Sequence, residues 1–140
     1  MGNMAPQRNE AWRKVMDAAT LSEEKFSDAF KVAFALEGDK PRPGSIGFEC
    51  RVQVAGGTTD DTEVRVYSCP DGDPDLRSSV AEDARLLATA VKDPLLANFW
   101  CDWQTVVSGA QISLKPTGAT VDMVGTIWIR RFWMGNPARM

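Results

Sequence analysis

The amino-acid sequence predicts an α+β fold. We expect N-terminal helices, a β-hairpin, one central helix and then a three-stranded antiparallel meander, forming one sheet with the helices packed on one face. Three patterns predict this: apolar residues recur at helical spacing early in the chain, apolar and polar residues alternate in its middle, and β-branched and aromatic residues dominate its last third. A length of 140 residues predicts a single domain over 1–140, with 1–9 and 134–140 as flexible or interface tails.

Two helices are predicted before the first strand. The first runs from Glu10 to about Ala19, because its apolar residues recur three and four positions apart. Thr20 and Glu23 then form a capping-box pattern, which indicates that a second helix begins there. The apolar positions are Trp12, Val15, Met16 and Ala19 in the first helix, and Phe26, Ala29, Phe30, Ala33 and Phe34 in the second.

A β-hairpin is predicted over residues 46–69. The segment "IGFECRVQVAGG" alternates, with Phe48, Cys50, Val52 and Val54 on one face, and "TEVRVYSC" follows it as the return strand. Cys50 therefore points inward, where it is expected to act as a small buried hydrophobe rather than as a reactive thiol.

The central helix is predicted after this hairpin. Asp73 is a suitable N-cap, Pro74 a suitable first helical residue, and Pro94 ends the helix. Its apolar positions at helical spacing are Leu76, Val80, Ala84, Leu87 and Val91. The remaining chain is rich in strand-forming residues and is broken by turns at 108–109 and at 116–118, which predicts three further antiparallel strands.

The residues needed for most enzymatic chemistry are absent. The chain has no histidine, so the commonest general base and the commonest ring-nitrogen metal ligand are both missing. One acidic segment resembles a calcium loop, because four carboxylates occupy its first, third, fifth and twelfth places: Asp71, Asp73, Asp75 and Glu82. Leu76, however, stands where that loop requires glycine, so a helix-capping acidic loop is favoured. We expect no catalytic residue, no metal and no cofactor.

Charge and cysteine usage limit the possible partners and compartments. The chain has 16 basic and 19 acidic residues, and a net charge of -3 is too small to imply capture of nucleic acid or of an acidic membrane. Its three cysteines form no C-x-x-C pair, which favours a reducing compartment. We find no signal-peptide pattern and no apolar run of bilayer length. The expected location is a virion or the cytoplasm of a host cell.

An interaction surface is predicted near the carboxyl end. In a strand from Thr120 to Trp133, alternation puts Ile127 and Ile129 on one face and Trp128 and Arg130 on the other. An aromatic ring beside a guanidinium on a wet face is typical of a protein interface. The predicted interface residues are Trp100, Trp128, Arg130, Arg131, Phe132 and Trp133. Two alternatives stay open: the N-terminal helices cover this face, or single-stranded nucleic acid stacks on its aromatic rings.

The segments "ECRVQVAGG", "VRVYS" and "AEDARLLATAVKDP", followed by the C-terminal strands, form an order of elements that resembles the tail-terminator and head-to-tail completion proteins of long-tailed phages. The resemblance implies a small α+β subunit that forms a homomeric ring without cofactor or catalysis, although the first helix departs from that pattern.

We therefore expect a non-enzymatic, homo-oligomeric structural protein of a virion, such as a tail-terminator-like or coat subunit. Its expected partners are copies of itself, with another virion protein as a further option, and no membrane. The alternatives are a small protein that binds single-stranded nucleic acid and a histidine-free lyase or isomerase that uses Asp and Glu.

Overall fold

The computed structural model describes residues 11–32, 45–56, 61–87, 95–102, 108–118 and 123–134. Within these ranges the chain forms two antiparallel β-sheets and no α-helix. The first sheet has four strands in the order β1 (Arg13–Thr20), β9 (Val124–Met134), β4 (Ser45–Ala55) and β7 (Leu95–Asp102). In the second, β2 (Lys25–Phe26) and β3 (Phe30–Lys31) pair with β8 (Gly109–Pro116), followed by β5 (Thr62–Ser68) and β6 (Asp83–Leu87). The α+β prediction, with N-terminal helices and a central helix, is wrong.

The connectivity is that of a jelly roll. Strands β2 and β3 pair with the same strand, β8, so they count as one interrupted strand. With that count, the first, last, third and sixth strands form one sheet, and the second, seventh, fourth and fifth form the other. Two sheets wound in this way from eight strands define a jelly-roll sandwich.

The hydrophobic core lies between the two sheets. Alternate residues of each strand point inward, and apolar residues of both sheets form one continuous buried cluster. The four-stranded sheet contributes Phe48, Cys50, Val52, Val54, Ile127 and Ile129, and the five-stranded sheet contributes Val64, Val66, Ala110, Ile112 and Leu114. The predicted inward face of the strand from Phe48 to Val54 is confirmed, and burial of this apolar surface is the main force that holds the sheets together.

The hairpin and the meander were predicted with the right strands and the wrong partners. Strand β4 pairs with β7 and β9, whereas β5 pairs with β6 and β8, so the two predicted hairpin strands lie in different sheets. Likewise β8 lies in a different sheet from β7 and β9, so these three strands form no meander. The reason is physical: alternation determines which face of a strand is buried, but several neighbours can satisfy the same face.

The first predicted helix is a bulged edge strand. Val15 and Met16 are consecutive and both buried, and the register of β1 against β9 shifts on either side of Met16. Ala18, with a φ of 47°, takes the left-handed conformation within this irregular stretch. Because each irregularity adds a residue to one strand only, the inward positions of β1 are Val15, Met16 and the partly buried Ala19, which lie one and three residues apart instead of two. That spacing imitates a helix.

The second predicted helix is an interrupted strand. Phe26 pairs with Ser113 and Phe30 pairs with Ala110, so four steps on this strand match three on β8. Ser27 occupies the interruption, where its backbone N–H donates to the Ile112 carbonyl at 2.7 Å and its hydroxyl accepts from the Ile112 N–H at 3.1 Å. The extra residue again produces helical spacing in an extended chain. Ala33 and Phe34 lie outside the described residues.

The predicted N-cap of the central helix exists, but the helix that should follow it does not form. Asp73 accepts a hydrogen bond from the Asp75 N–H at 3.0 Å, and Pro74 takes the first position of a 3-10 turn that ends at Leu76. Beyond it the chain pairs with β5 as strand β6, while Leu76 and Val80 remain 55% and 71% exposed. As a strand, this segment pairs its backbone N–H and C=O groups with those of β5, which a helix could not do. This tertiary pairing outweighs the local helical preference.

The three cysteines, Cys50, Cys69 and Cys101, are buried free thiols. Burial raises the pKa of the Cys50 thiol well above its ordinary value, so the reactive thiolate is scarce. We expect iodoacetamide to modify Cys50 roughly a hundredfold more slowly in the folded protein than in urea. Peptide mapping by mass spectrometry would measure both rates. Equal rates would show that this part of the core is open to solvent.

Candidate interaction surface

The outward-facing residues of β9 lie where alternation predicts them. Ile127 and Ile129 are buried in the core, whereas Thr126, Trp128 and Arg130 are half-buried on the outer face of the four-stranded sheet. Trp128 is therefore only partly buried, and no layer formed by the described residues covers this face. The predicted cover by N-terminal helices is wrong, since that segment forms β1 beside β9.

The register of the sheet builds two rows of side-chain positions across this face. Trp128 lies opposite Lys14 on β1 and opposite Arg51 on β4, and Arg51 lies opposite Asn98 on β7. In the next row Arg130 lies opposite Glu49. We call the resulting surface the aromatic-cation face, and we define it by Trp12, Lys14, Glu49, Arg51, Asn98, Trp128 and Arg130.

Cations lie against both tryptophan rings of this face. The guanidinium carbons of Arg51 and Arg130 are 5.3 and 4.7 Å from the centre of the Trp12 ring, and Lys14 Nζ is 5.8 Å from that of Trp128. Each such contact is worth about 0.5–1 kcal/mol at an exposed site. Together they attach the segment before β1 to the middle of the sheet.

Polar contacts orient the two arginines. Arg130 Nε donates to Glu49 Oε1 at 2.9 Å, and Arg51 Nε donates to Asn98 Oδ1 at 3.0 Å. Both partners of the ion pair are 30% exposed, so its contribution to stability is about 0–1 kcal/mol. Its main effect is geometric, because it holds the Arg130 guanidinium beside the Trp12 ring. Within the face, three cationic side chains stand against one carboxylate in a chain whose net charge is -3.

The predicted interface residues do not all share one surface. Trp128 and Arg130 do, and Trp100 lies opposite Glu49 in the same row of the register. Arg131 lies on the other side of the sheet, where its Nη1 donates to the Lys31 carbonyl at 3.4 Å. The side chains of Trp100, Phe132 and Trp133 are outside the described part of the structure.

The sequence reasoning missed Trp12, Lys14 and Arg51 as members of this surface. The first two were assigned to a helix, although their spacing of two residues is the signal that would have put them on one side of a strand. Alternation puts Arg51 on the polar side of its strand, between the buried Cys50 and Val52, but its neighbours across the sheet depend on a strand order that alternation does not determine.

The outer face of the five-stranded sheet is a closed polar network. Glu24 Oε2 accepts hydrogen bonds from the Tyr67 hydroxyl at 3.0 Å and from the Ser113 hydroxyl at 2.6 Å. The Arg77 guanidinium carbon lies 3.9 Å from the centre of the Phe26 ring, and its Nη1 donates to Gln111 Oε1 at 3.1 Å. Since these polar groups bind one another, this face has a structural role.

The edges of the two sheets differ in how open they are to further pairing. Strand β1 is bulged, β2 and β3 have two residues each, and β6 directs the ion pair of Asp83 and Arg85 inward. Bulges, short strands and inward-facing charges are the devices that prevent edge-to-edge pairing. Strand β7 has none of these in the described structure: its 8 residues pair with β4 in unbroken register, and Leu96 on it is 54% exposed.

The acidic segment forms a capped turn. Asp73 uses a carboxylate oxygen to cap the turn that follows it, and Asp71 takes a left-handed conformation with a φ of 57°. Among the described residues, no group of three or more metal-ligating side chains lies close enough together to hold an ion. The geometry therefore provides no support for a calcium loop.

Comparisons with protein-family models, with curated proteins and with solved structures find no match for this chain. No helix in the described ranges is long and apolar enough to cross a membrane. The class of protein is therefore defined by the strand order itself, and it is a jelly-roll β-sandwich. Viral capsid proteins, lectins and cupins share this architecture, so any functional assignment depends on the surfaces of this particular chain.

Proposed function

We propose that the protein is a non-enzymatic structural subunit that assembles with copies of itself, as a coat-type component of a virion. The observation that carries this proposal is the edge strand β7, which is long, regular and apolar in a sandwich whose other described edges are blunted. The proposed resemblance to phage tail-terminator proteins depended on a helical element order that the structure does not have. The jelly roll supports a coat subunit instead.

Pairing at β7 would provide affinity for a second copy and would fix the position of that copy beside the sheet. A second chain that adds a strand there would pair with N–H and C=O groups of the edge that no described strand contacts, and it would bury Leu96. Asn98 belongs to the same strand and, through Arg51, joins the edge to the aromatic-cation face. A neighbouring copy would therefore extend the rows of aromatic and charged positions across the contact, which is a suitable composition for a protein interface.

The residue inventory favours assembly over catalysis. This chain contains no histidine, which is the commonest general base and a common metal ligand. The space between its sheets is filled by apolar residues such as Phe48, Ile112 and Ile127, all of them fully buried. A filled apolar interior suits a building block.

Binding of single-stranded nucleic acid is the second candidate, because Trp128 is half-exposed among Lys14, Arg51 and Arg130. A base could stack on this ring while the cations contact phosphates. The candidate is weaker than assembly because Trp12 already lies against two of these guanidinium groups and because the chain is acidic overall. Tryptophan quenching by an oligonucleotide that is lost in Arg51→Gln would favour it.

The assembly proposal is tested by mass and by a matched pair of edge variants. Light scattering should give a mass several times the 15.4 kDa of one chain. Leu96→Lys places a charge on the β7 edge and should weaken self-association about tenfold or more. Leu86→Lys is the control, since Leu86 is 60% exposed on the blunted strand β6 and should change association less than about twofold.

Two outcomes would contradict the proposal. One is a wild-type protein that remains monomeric at about 100 µM, where even weak assembly contacts are populated. The other is an equal loss of self-association in Leu96→Lys and Leu86→Lys, because the loss would then come from adding a positive charge anywhere and not from the β7 edge. Circular dichroism of both variants shows whether the sandwich itself is preserved.

A further inference from the structure

A cleft of about 340 Å³ opens at one end of the sandwich, on the opposite side of the four-stranded sheet from the aromatic-cation face. Its lining residues come from both sheets and from the turn after β5: Arg13, Ala29, Phe30, Lys31, Asp71, Gly72 and Arg131. The buried residue Phe30 is one of them. A cleft of this volume can enclose a small molecule or a small group of a larger one.

Basic residues replace apolar ones where the core ends. The inward-facing positions of β9 run from Ile127 through Ile129 to Arg131, and Arg13 lies opposite Ile129 on β1. Lys31 follows the buried Phe30 on the opposite sheet. Three basic residues from three strands therefore line one space.

The walls of the cleft are fixed by backbone and side-chain hydrogen bonds. Arg131 Nη1 donates to the Lys31 carbonyl at 3.4 Å and so bridges the two sheets. The Asp71 N–H donates to the Ser108 hydroxyl at 3.0 Å, and the Gly72 N–H donates to the Cys69 carbonyl at 2.8 Å. A site whose walls are already ordered loses little conformational entropy when it binds a ligand.

The charges of the cleft favour an anion. Among the described lining residues, three are basic and one, Asp71, is acidic, in a protein that is acidic overall. Among the described residues, Arg13 and Lys31 have no ion-pair partner within 4 Å. Guanidinium and ammonium groups form strong charge-assisted hydrogen bonds with phosphate oxygens, and a phosphate offers more oxygens to three basic residues than a carboxylate does.

We propose that this cleft binds a phosphate group. The group can belong to a free phosphorylated small molecule or to the backbone of a single-stranded nucleic acid, and the recognition chemistry is the same for both. The seven described lining residues belong to one chain, so binding can be measured separately from self-assembly.

Isothermal titration calorimetry with inorganic pyrophosphate at fixed ionic strength tests the proposal. We expect saturable binding to the wild-type protein, weakened about tenfold or more in Arg13→Gln and in Lys31→Gln. Lys14→Gln is the matched control, since it removes the same charge one residue from Arg13 but on the aromatic-cation face. It should change the affinity less than about twofold.

Either of two results would overturn the site. One is a titration of the wild-type protein in which the heat does not saturate with pyrophosphate. The other is a control variant, Lys14→Gln, that weakens pyrophosphate binding as much as Arg13→Gln and Lys31→Gln do. A short single-stranded oligonucleotide then distinguishes the sources. If it competes with pyrophosphate, the site takes a phosphodiester; if it does not while pyrophosphate binds, the site takes a small anion. Light scattering on the same samples reports assembly separately, so failure of one proposal leaves the other measurable.

Discussion

Gly109→Ala is expected to lower the free energy of unfolding by about 3 kcal/mol or more. Gly109 begins β8 where three backbone segments meet. A Cβ atom there would collide with the Cys69 carbonyl oxygen, and it would lie 2.5 Å from the Gly72 nitrogen and 3.0 Å from the Phe30 carbonyl oxygen. All three neighbours are backbone atoms, and two of those segments also form the walls of the cleft. The collision is relieved only if whole segments of chain move.

Gly125→Ala is the matched control for this substitution. Its Cβ would lie 2.5 Å from Leu114 Cδ1 and 3.1 Å from Leu21 Cδ1, which are the ends of side chains that can change rotamer. We expect a cost of less than about 2 kcal/mol. Urea unfolding of both variants at one protein concentration gives the comparison. If Gly109→Ala lowers the free energy of unfolding no more than Gly125→Ala does, the backbone segments around Gly109 can move apart at little cost.

The strands of this protein were readable from its sequence where the alternation is regular. Strands β4 and β5 lie at the predicted positions, and the segments predicted as the last three strands form β7, β8 and β9. Strands were mistaken for helices where an extra residue interrupts the alternation, as between Phe26 and Phe30. One bulge changes a period of two into a spacing that a helix also satisfies, and local sequence does not distinguish the two.

Partnership between strands lies beyond what local pattern determines. Residues 46–69 predict a hairpin because adjacent strands usually pair, yet the jelly roll sends β4 and β5 to opposite sheets. The same limit applies to the interaction surface. Trp128 and Arg130 follow from alternation alone, whereas the contact of Trp12 with Arg51 requires β1, β9 and β4 to lie side by side.

Arg130 and Arg131 illustrate how strand geometry separates neighbours in sequence. The prediction grouped them in one interface, but successive residues of a strand point to opposite sides. Arg130 contacts Trp12 and Glu49 on the outer face, and Arg131 contributes to the cleft between the sheets. A substitution of Arg130 therefore tests the aromatic-cation face, and a substitution of Arg131 tests the cleft.

Phe48→Ala is expected to lower the free energy of unfolding by about 3–5 kcal/mol, because it leaves a cavity the size of a phenyl ring in the core. Phe48 is fully buried on β4, and its ring meets the edge of the Phe30 ring at 5.0 Å between centroids and an interplanar angle of 82°. This loss is a large part of the about 5–15 kcal/mol by which a domain is stable. It should lower the melting temperature by roughly 10–15 °C.

The same substitution should also weaken pyrophosphate binding, because Phe30 packs against Phe48 and lines the cleft. Phe48→Leu keeps most of the apolar volume and should cost less than about 1.5 kcal/mol, with pyrophosphate affinity close to that of the wild type. Thermal unfolding and calorimetry on the three proteins measure both effects. A Phe48→Ala protein that melts well below the wild type yet binds pyrophosphate equally tightly would show that the cleft does not depend on this aromatic pair.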